Sequence, residues 1–274
     1  MISTSFSYAA PDTLAAALGL LGQAGHQVLP ADHSLVSRLR QGGAAGQTLV
    51  SLRQVPGLAT ITEENGQLAI GSSVSYAELI QHESIANYPV LAQALATIQD
   101  PHLRHHSTLS GAVHGGGRFH APVLAALLAL DAQAVLHSAA GFQEVPLLQL
   151  TQASGAAAGT LVTRILLPAG PVAASHYLTA GPARSHYSSQ GVAVAQHGDQ
   201  IRVVLAGFAE QVVRVAAVET ALRGQPLTTA TIAAAAYQLD NEPALAAAGA
   251  ADAGYHQHLA KVLVRRALAG LLPG

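Results

Sequence analysis

The chain has 274 residues, enough for one large domain or two of ordinary size. Half of the residues are apolar, only 10% are charged and the net charge is −2. This balance argues against nucleic acid as a partner, because phosphate binding needs a basic face. The absence of cysteine excludes disulfides, thiolate zinc sites and cysteine-ligated iron–sulfur clusters on this chain.

The start of the chain, MISTSFSYAAPDTL, has no basic segment and no long apolar run, so we expect no signal peptide. The most apolar run, residues 122–130, is far shorter than the ~20 residues of a membrane-spanning helix. We therefore expect no membrane span and a cytoplasmic location.

Short strands and helices alternate in the first fifty residues. FSYAAPDTLAAALGLLGQAG predicts a strand and then a helix, which Asp12 or Thr13 caps and Gly25 ends. HQVLPA predicts a strand, SLVSRLRQGG a helix and QTLVSL a further strand. This order is typical of an α/β unit.

The middle of the chain carries several local signals. Asn-Gly in LATITEENGQLAIGSSV predicts a hairpin, and Ser75 with Glu78 forms the pattern of a capping box. Pro89 is placed to open a helix. A helix over residues 122–130 and the strands AQAVLHS and GTLVTRILLP follow. We interpret PAGPVAAS, which comes next, as a boundary between domains.

The last hundred residues predict strands followed by helices. SQGVAVAQHGDQIRVVLAGF reads as a hairpin, and EQVVRVAAVETALRG as a helix closed by Gly224. A second helix is expected in ATIAAAAYQL. The final segment predicts a long amphipathic helix with Tyr255, Leu259, Leu263 and Ala267 on one face. The order is typical of a small α+β domain.

Two segments combine a turn with a following helix. LSGAVHGGGRFHAP contains the run Gly115, Gly116 and Gly117, whose amides are able to converge on an anion near a helix N-terminus. The alternatives are a metal site or a flexible turn. LPADHSLVSRL places a strand, a turn and a helix in sequence. Neither segment matches the dinucleotide or P-loop glycine motifs, although two such units together can hold a diphosphate.

The sequence resembles the medium, FAD-binding subunit of molybdenum hydroxylases such as carbon monoxide dehydrogenase and xanthine dehydrogenase. FSYAAPDTLAAALGLL is similar to the family's opening segment, and VSLRQVPGL and GQLAIGSSVSYAEL resemble the segments that follow. DPHLRHHSTLSGAV resembles a Pro-Gln-Ile-Arg-Asn segment that ends in Thr-Ile-Gly-Gly. VETALRGQPL and YHQHLAKVLVRRAL resemble the pattern that closes the C-terminal domain. The resemblance covers nearly the whole chain.

The resemblance implies an α+β protein with two domains. The first is a two-part FAD-binding domain of the vanillyl-alcohol-oxidase/PCMH-like type, expected over residues 1–170 with subdomains at about 1–53 and 54–170. The second is a small α+β domain of the carbon monoxide dehydrogenase flavoprotein type, expected over residues 171–274.

The resemblance also implies that two loops hold the FAD diphosphate. The first loop falls on Pro30, Ala31, Asp32, His33, Ser34 and Leu35, and the second on Thr108, Leu109, Ser110 and Gly111. Both glycines of the first loop are replaced, by Ala31 and Asp32, and one glycine of the second is replaced by Ser110. A carboxylate at position 32 repels a diphosphate unless it is screened, and an alanine at position 31 is strained wherever φ must be positive.

Further residues are candidates for contact with the cofactor. The run Gly115, Gly116 and Gly117 either compensates for the lost glycines with its amides or belongs to a loop that has lost its ligand. Arg104 matches an arginine of the family, and we expect it to tether the loop or to meet a phosphate. Tyr187 falls where an aromatic of the C-terminal domain lies against the flavin; the alternative is a packed hairpin residue.

Five histidines lie within a stretch of nineteen residues that includes the glycine-rich region. Their spacing matches neither H-E-x-x-H nor a zinc finger, and few carboxylates are nearby. We expect polar loop residues or anion donors rather than a metal site. They are His102, His105, His106, His114 and His120.

The function implied by the resemblance is an oxidoreductase subunit that binds FAD and transfers electrons. It would take electrons from partner iron–sulfur clusters and pass them to an external acceptor, without a catalytic acid or base on this chain. The implied partners are a large molybdenum-cofactor subunit and a small subunit with [2Fe–2S] clusters, in a dimer of heterotrimers. Two alternatives remain: a flavin-free structural or assembly subunit of the same complex, and a histidine-rich metal-binding protein.

Overall fold

The structure is a computed structural model, and its described residues form three sheets and ten helices. They group into two compact units, each built from several stretches of the chain. The described residues are 5–29, 46–115, 119–152, 157–172, 174–180, 190–209, 211–246 and 253–272.

Twelve strands are present among the described residues. They are β1 Ser7–Ala9, β2 His26–Val28, β3 Thr48–Val50, β4 Ile61–Glu64, β5 Gln67–Gly71, β6 Gln133–Ser138, β7 Gly141–Pro146, β8 Leu161–Leu167, β9 Ser175–Thr179, β10 Gly191–His197, β11 Gln200–Ala206 and β12 Val213–Arg214.

The α-helices are mostly short, and the last is the longest. They are α1 Leu14–Leu21, α2 Tyr76–Gln81, α3 Pro89–Ala96, α4 Pro101–His106, α5 Ala121–Ala129, α6 Leu147–Gln152, α7 Ala216–Leu222, α8 Thr229–Ala236, α9 Pro243–Ala246 and α10 Ala253–Ala269. Single 3₁₀ segments at Glu83–Asn87 and Tyr237–Asn241 and a π turn at Gly111–Gly115 complete the described helical structure.

The first unit comprises Met1–Leu79, Asp100–Gly116 and Ala132–Ala169. Its parallel sheet has the order β1-β3-β2, and α1 packs against it through Ala17 and Leu21. The second sheet is antiparallel, with the order β4-β5-β8-β6-β7. The predicted cap is confirmed, since the Thr13 hydroxyl accepts a hydrogen bond from the Ala16 amide at 3.2 Å.

The hairpin between β4 and β5 confirms a prediction from local sequence. Asn65 and Gly66 have φ of 53° and 78°, the pair of positive values that a tight two-residue turn requires. β5 then passes into the capping box of α2. The Ser75 amide donates to Glu78 Oε2 at 2.8 Å, and the Glu78 amide donates to Ser75 Oγ at 3.2 Å.

The second unit comprises Ile80–Gln99, Gly117–Asp131 and Gly170–Gly274. Its antiparallel sheet has the order β12-β11-β10-β9. Alternate residues such as Val192 and Val194 pack against α7, α8 and α10 in one apolar core. The helices α3 and α5, which come from the middle of the chain, also pack on this sheet.

Two predictions for the C-terminal elements were wrong in part. The helix expected over EQVVRVAAVETALRG begins only at Ala216, because Val213 and Arg214 pair with β11 as the edge strand β12. In α10 the buried face includes Ala260 and Leu263, whereas Tyr255 is 64% exposed. Pairing with β11 makes residues 213–214 a strand, and the β-branched Val213 suits a strand edge. The contacts of α10 with β9 and β10 determine which of its faces is buried.

Several elements lie outside the sequence predictions. The strands β7 and β9 and the helices α4 and α6 were not expected. The predicted helix in SLVSRLRQGG falls outside the described residues. Within the described part of the chain, every helix is too short or too polar to traverse a lipid bilayer.

Candidate functional site

The candidate site is built around the loop that follows α4. The Asp100 carboxylate caps α4 by accepting from the His102 amide at 2.8 Å, and the helix ends at His106. The chain then becomes extended at Ser107. This change of direction brings residues 107–110 alongside the segment that joins β5 to α2.

Backbone hydrogen bonds join these two segments of the first unit. Ser75 and Thr108 form an isolated antiparallel bridge. On one side of it the Tyr76 amide donates to the Ser107 carbonyl at 2.9 Å. On the other side the Ser110 amide donates to the carbonyl of Ser72 at 2.5 Å. The loop is therefore fixed by residues 72–76, a contact between positions more than thirty residues apart.

The amides of the loop are already used within the protein. The Gly111 amide donates to Thr108 Oγ1 at 3.2 Å, and the Ala112 amide donates to the Thr108 carbonyl at 3.1 Å. Together with the Ser110 amide, three amide donors of this segment are satisfied within the protein, two of them in the predicted second loop. The following π turn, Gly111–Gly115, is a rare geometry that is often found at functional sites.

The side chains at the same place are not satisfied. Ser72, Ser107 and Ser110 are buried, and their hydroxyls have no hydrogen-bond partner among the described residues. The Nε2 atom of His114 is enclosed and likewise lacks a partner there. Each such group costs about 1–3 kcal/mol relative to a solvated one, so a cluster of them indicates a ligand or bound water.

The imidazole of His114 is neutral at physiological pH. Burial lowers the pKa of His114 to about 4, because the charged ring would lose its hydration. The residue as a whole is half-buried, while its Nε2 atom is enclosed. As a neutral ring, it donates through one nitrogen and accepts through the other.

The other predicted cofactor residues are distributed as follows. Arg104 is half-buried on α4, and Gly115 ends the π turn. Nine predicted residues lie outside the described part of the chain: Pro30, Ala31, Asp32, His33, Ser34, Leu35, Gly116, Gly117 and Tyr187. Sequence reasoning missed Ser72 and Ser107, because nothing local marks an ordinary serine as buried.

The histidines of this region have different surroundings. His102 and His106 lie on α4 with ring centroids 4.4 Å apart, and His105 contacts the carbonyl of Pro101 at 2.7 Å. In the second unit, His120 packs edge-on against the ring of Phe119. Among the described residues, no three His, Cys, Asp or Glu side chains are arranged to hold a metal ion.

The second unit contains a cluster of charges around the buried Glu219, which we call the charge cluster: Asp131, Arg202, Arg214 and Glu219. The Glu219 carboxylate accepts from Arg214 Nε at 2.9 Å and Nη2 at 2.8 Å. It also accepts from the Val203 amide at 3.1 Å. Arg202 Nε donates to both oxygens of Asp131, at 2.9 and 2.8 Å. The hydrogen bonds that Arg214 donates to Glu219 raise the pKa of Arg214.

A surface groove of about 330 Å³ lies elsewhere in the second unit, between α8 and α10. Its walls are mainly apolar, and two arginines stand at its rim. The lining contains no carboxylate, histidine or other acid–base group. Its residues are Thr229, Ile232, Val262, Arg265, Arg266, Ala269 and Leu272.

Comparison with known proteins decides the family. Residues 4–170 match the FAD binding domain in molybdopterin dehydrogenase, and residues 187–271 match the CO dehydrogenase flavoprotein C-terminal domain. This chain belongs to the molybdopterin dehydrogenase FAD-binding family. The family and the fold class expected from the sequence are both confirmed.

Two curated relatives are similar in sequence. The alpha subunit of the 6-hydroxypseudooxynicotine dehydrogenase complex of Paenarthrobacter nicotinovorans is 29% identical, over 98% of this chain and 95% of its own. The carbon monoxide dehydrogenase medium chain of Hydrogenophaga pseudoflava is 33% identical, over 53% of this chain and 52% of its own. Both are subunits of dehydrogenases, so the chain belongs among oxidoreductase subunits.

Solved structures share the fold over nearly the full length. Carbon monoxide dehydrogenase from Hydrogenophaga pseudoflava, in a form that lacks the Mo-pyranopterin moiety of the molybdenum cofactor, superposes with a TM-score of 0.83 at 27% identity. The alignment covers 98% of each chain. Quinoline 2-oxidoreductase from Pseudomonas putida 86 has the same fold, with a TM-score of 0.82 at 21% identity over 98% of this chain and 97% of its own.

The described residues of the site fit the diphosphate of FAD. The buried hydroxyl of Ser110 lies in the segment 108–111 that the resemblance assigns to the second loop, and it lacks a partner among the described residues. A diphosphate offers several oxygen acceptors, which hydroxyl and imidazole donors are able to bind.

Proposed function

We propose that this chain is the FAD-carrying electron-transfer subunit of a heteromeric molybdenum hydroxylase. The observation that carries the proposal is the set of buried, unpartnered donors at residues 107–114, within a fold that belongs to an FAD-binding family. A structural subunit without a ligand gains nothing from such groups, because apolar side chains there would be more stable.

The chain's own contribution is to bind and orient the cofactor. The second loop, Thr108, Leu109, Ser110 and Gly111, would hold the diphosphate together with the first loop, residues 30–35. Arg104 on the preceding helix and residues 115–117 would flank it, and Tyr187 would lie against the flavin. When bound, FAD supplies a redox centre that exchanges electrons with donors and acceptors.

The proposed partners are a large molybdenum-cofactor subunit and a small iron–sulfur subunit, in a dimer of heterotrimers in the cytoplasm. The names of the relatives, a complex subunit and a medium chain, support a multi-subunit assembly. The absence of cysteine supports clusters on a partner, since this chain has no thiolate to ligate one. Substrate oxidation would then take place on the large subunit.

We also propose that the FAD-binding domain spans residues 1–170, with subdomains at about 1–53 and 54–170, and that the C-terminal domain spans 171–274. The two family matches, which end at residue 170 and begin at residue 187, support this division of the sequence.

A flavin-free structural subunit is the second candidate, and the replacement of two glycines by Ala31 and Asp32 favours it. The purified chain and its complex distinguish the two functions. We expect a yellow protein with absorbance near ~450 nm that releases FAD on denaturation. A colourless complex, with molybdenum and iron–sulfur subunits still bound, would establish the structural role instead.

Substitutions in the first loop sharpen this test. We expect the double variant Ala31→Gly, Asp32→Gly to bind FAD several-fold to about tenfold more tightly, because a nearby carboxylate opposes a diphosphate by about 1 kcal/mol when partly screened. Asp32→Asn is the matched control, since it removes the charge and keeps a side chain. Unchanged affinity in both variants would mean that Asp32 does not face the diphosphate.

A further inference from the structure

Every buried, unpartnered side-chain polar atom of the first unit, among its described residues, lies on the two segments that meet at the second loop. The atoms belong to Ser72, Ser107, Ser110 and His114. The first unit also contains buried hydroxyls that are satisfied: Thr163 Oγ1 contacts the carbonyl of Val135 at 3.2 Å. Within the described residues of the first unit, the lack of partners is therefore confined to this place, although the second unit has other such atoms, for example Tyr177 Oη and His256 Nδ1.

Three of these residues converge through the backbone. The Ser72 carbonyl accepts from the Ser110 amide, so the two serines are in direct contact. Ser110 directly precedes the π turn Gly111–Gly115, and His114 lies within that turn, so about one turn of chain separates the two residues. Neither Ser72 nor His114 belongs to the loop motifs that the resemblance assigns to the cofactor.

The chemistry of the place differs from a backbone cradle. The amides of Ser110, Gly111 and Ala112 donate within the protein, whereas the hydroxyls of Ser72 and Ser110 and Nε2 of His114 have no partner among the described residues. Two hydroxyls and a neutral imidazole are hydrogen-bond donors without charge. Such donors, held in a dry site, bind the oxygens of an anion well because no water competes with them.

We infer that Ser72, Ser110 and His114 form one polar pocket that contacts the diphosphate of the cofactor. This inference depends on the proposed function and adds Ser72 and His114 to the binding site. In this arrangement, side-chain donors do the work for which the family uses the glycine that Ser110 replaces. The residues position the cofactor and take no part in electron transfer.

The test measures FAD affinity and stability separately on the purified full-length chain. We expect Ser72→Ala to weaken FAD binding about tenfold, as loss of a hydrogen bond to a charged group does. The thermal midpoint of the flavin-free protein should stay the same or rise, because alanine removes a buried hydroxyl that has no partner. A serine with a structural role would show the opposite: a lower midpoint and unchanged affinity.

Matched variants separate the pocket from its surroundings. Ser73→Ala is the control for Ser72→Ala, since Ser73 is the neighbouring residue and is only half-buried. His114→Gln is able to donate from about the position of Nε2, whereas His114→Asn is too short to do so. We expect glutamine to keep FAD affinity within about twofold of the wild type and asparagine to lose about tenfold.

The choice of ligand locates the contact. The same variants should weaken binding of ADP, which carries the diphosphate, and leave binding of riboflavin unchanged. If Ser72→Ala fails to fold, as judged by circular dichroism, the comparison of His114→Asn with His114→Gln decides. Wild-type protein that binds FAD, with no loss in any of these variants, would overturn the inference alone. Wild-type protein without FAD affinity would overturn the proposed function.

Discussion

The charge cluster of the second unit and the second loop of the first unit treat buried polar groups in opposite ways. In the second unit, the Glu219 carboxylate is only 6% exposed and accepts from both Arg214 and the amide of Val203. In the first unit, Ser72 and Ser110 are equally buried, yet their hydroxyls have no partner among the described residues. The Glu219 carboxylate finds its hydrogen-bond partners within the protein. The hydroxyls of Ser72 and Ser110 require an added ligand or water.

The contrast separates groups that stabilise the fold from groups that are reserved for a ligand. A satisfied buried charge ties elements together, and its removal leaves the opposite charge without compensation. An unsatisfied buried hydroxyl contributes nothing to the folded state, and its removal is neutral or favourable. Substitutions in the two regions should therefore change stability in opposite directions.

The largest effect is expected in the charge cluster. Glu219→Ala should lower the free energy of unfolding by about 3–5 kcal/mol, because it removes the acceptor of the Arg214 side chain and of the Val203 amide. Glu219→Gln should cost less, since its amide oxygen still accepts from the Val203 amide. Chemical denaturation measures both variants.

The ion pair between Lys261 and Asp240 provides the control, because the Asp240 side chain is 46% exposed whereas that of Glu219 is 5% exposed. Asp240→Ala should cost no more than about 1 kcal/mol. A similar cost for Glu219→Ala would mean that burial of the charge cluster does not strengthen it.

A smaller effect is expected from the pH dependence of His114. Its folded pKa of about 4 lies below the ordinary value of 6.5, so the unfolded chain binds a proton first as the pH falls. Stability from this group is complete above pH 6.5 and is lost between pH 6.5 and 4, by at most about 3 kcal/mol. The measurement is the wild-type unfolding free energy minus that of His114→Gln, across this range. A difference that is independent of pH would show that the ring titrates normally.

The smallest effect compares two serines three residues apart. Ser75 caps α2, and its hydroxyl donates to Glu78 Oε2 at 2.7 Å. Ser75→Ala should therefore lower the free energy of unfolding by about 1 kcal/mol. Ser72→Ala should leave the free energy of unfolding unchanged within error. Thermal unfolding of the flavin-free protein tests the pair, and equal losses would remove the distinction between the two regions.

The sequence predicted the elements whose cause is local. The hairpin at Asn65 and Gly66 and the capping box at Ser75 depend on residues within a few positions, and both are confirmed. The strand β12 could not be predicted in this way. Val213 lies in a segment with helical spacing, and only its pairing with Leu205 in β11 makes it a strand.

The same limit applies to the candidate site. The resemblance identifies Ser110 by its place in a loop motif, but it does not point to Ser72. Ser72 becomes part of the site because β5 pairs with β8 and the next residues run beside 107–110. The contact joins positions that are distant in sequence, and no local pattern encodes it.

The interleaving of the two units limits how the protein can be divided. All residues of α5 except Leu124 are buried, and the helix packs on β10 and β11 although it precedes them by about sixty positions. Cutting the gene at residue 170 would leave the apolar helices α3 and α5 on the N-terminal fragment. The C-terminal fragment would keep the sheet against which they pack, with that face uncovered. Each fragment would expose apolar surface and would be prone to aggregate. Mixing the two fragments would be needed to bring the helices back onto the sheet.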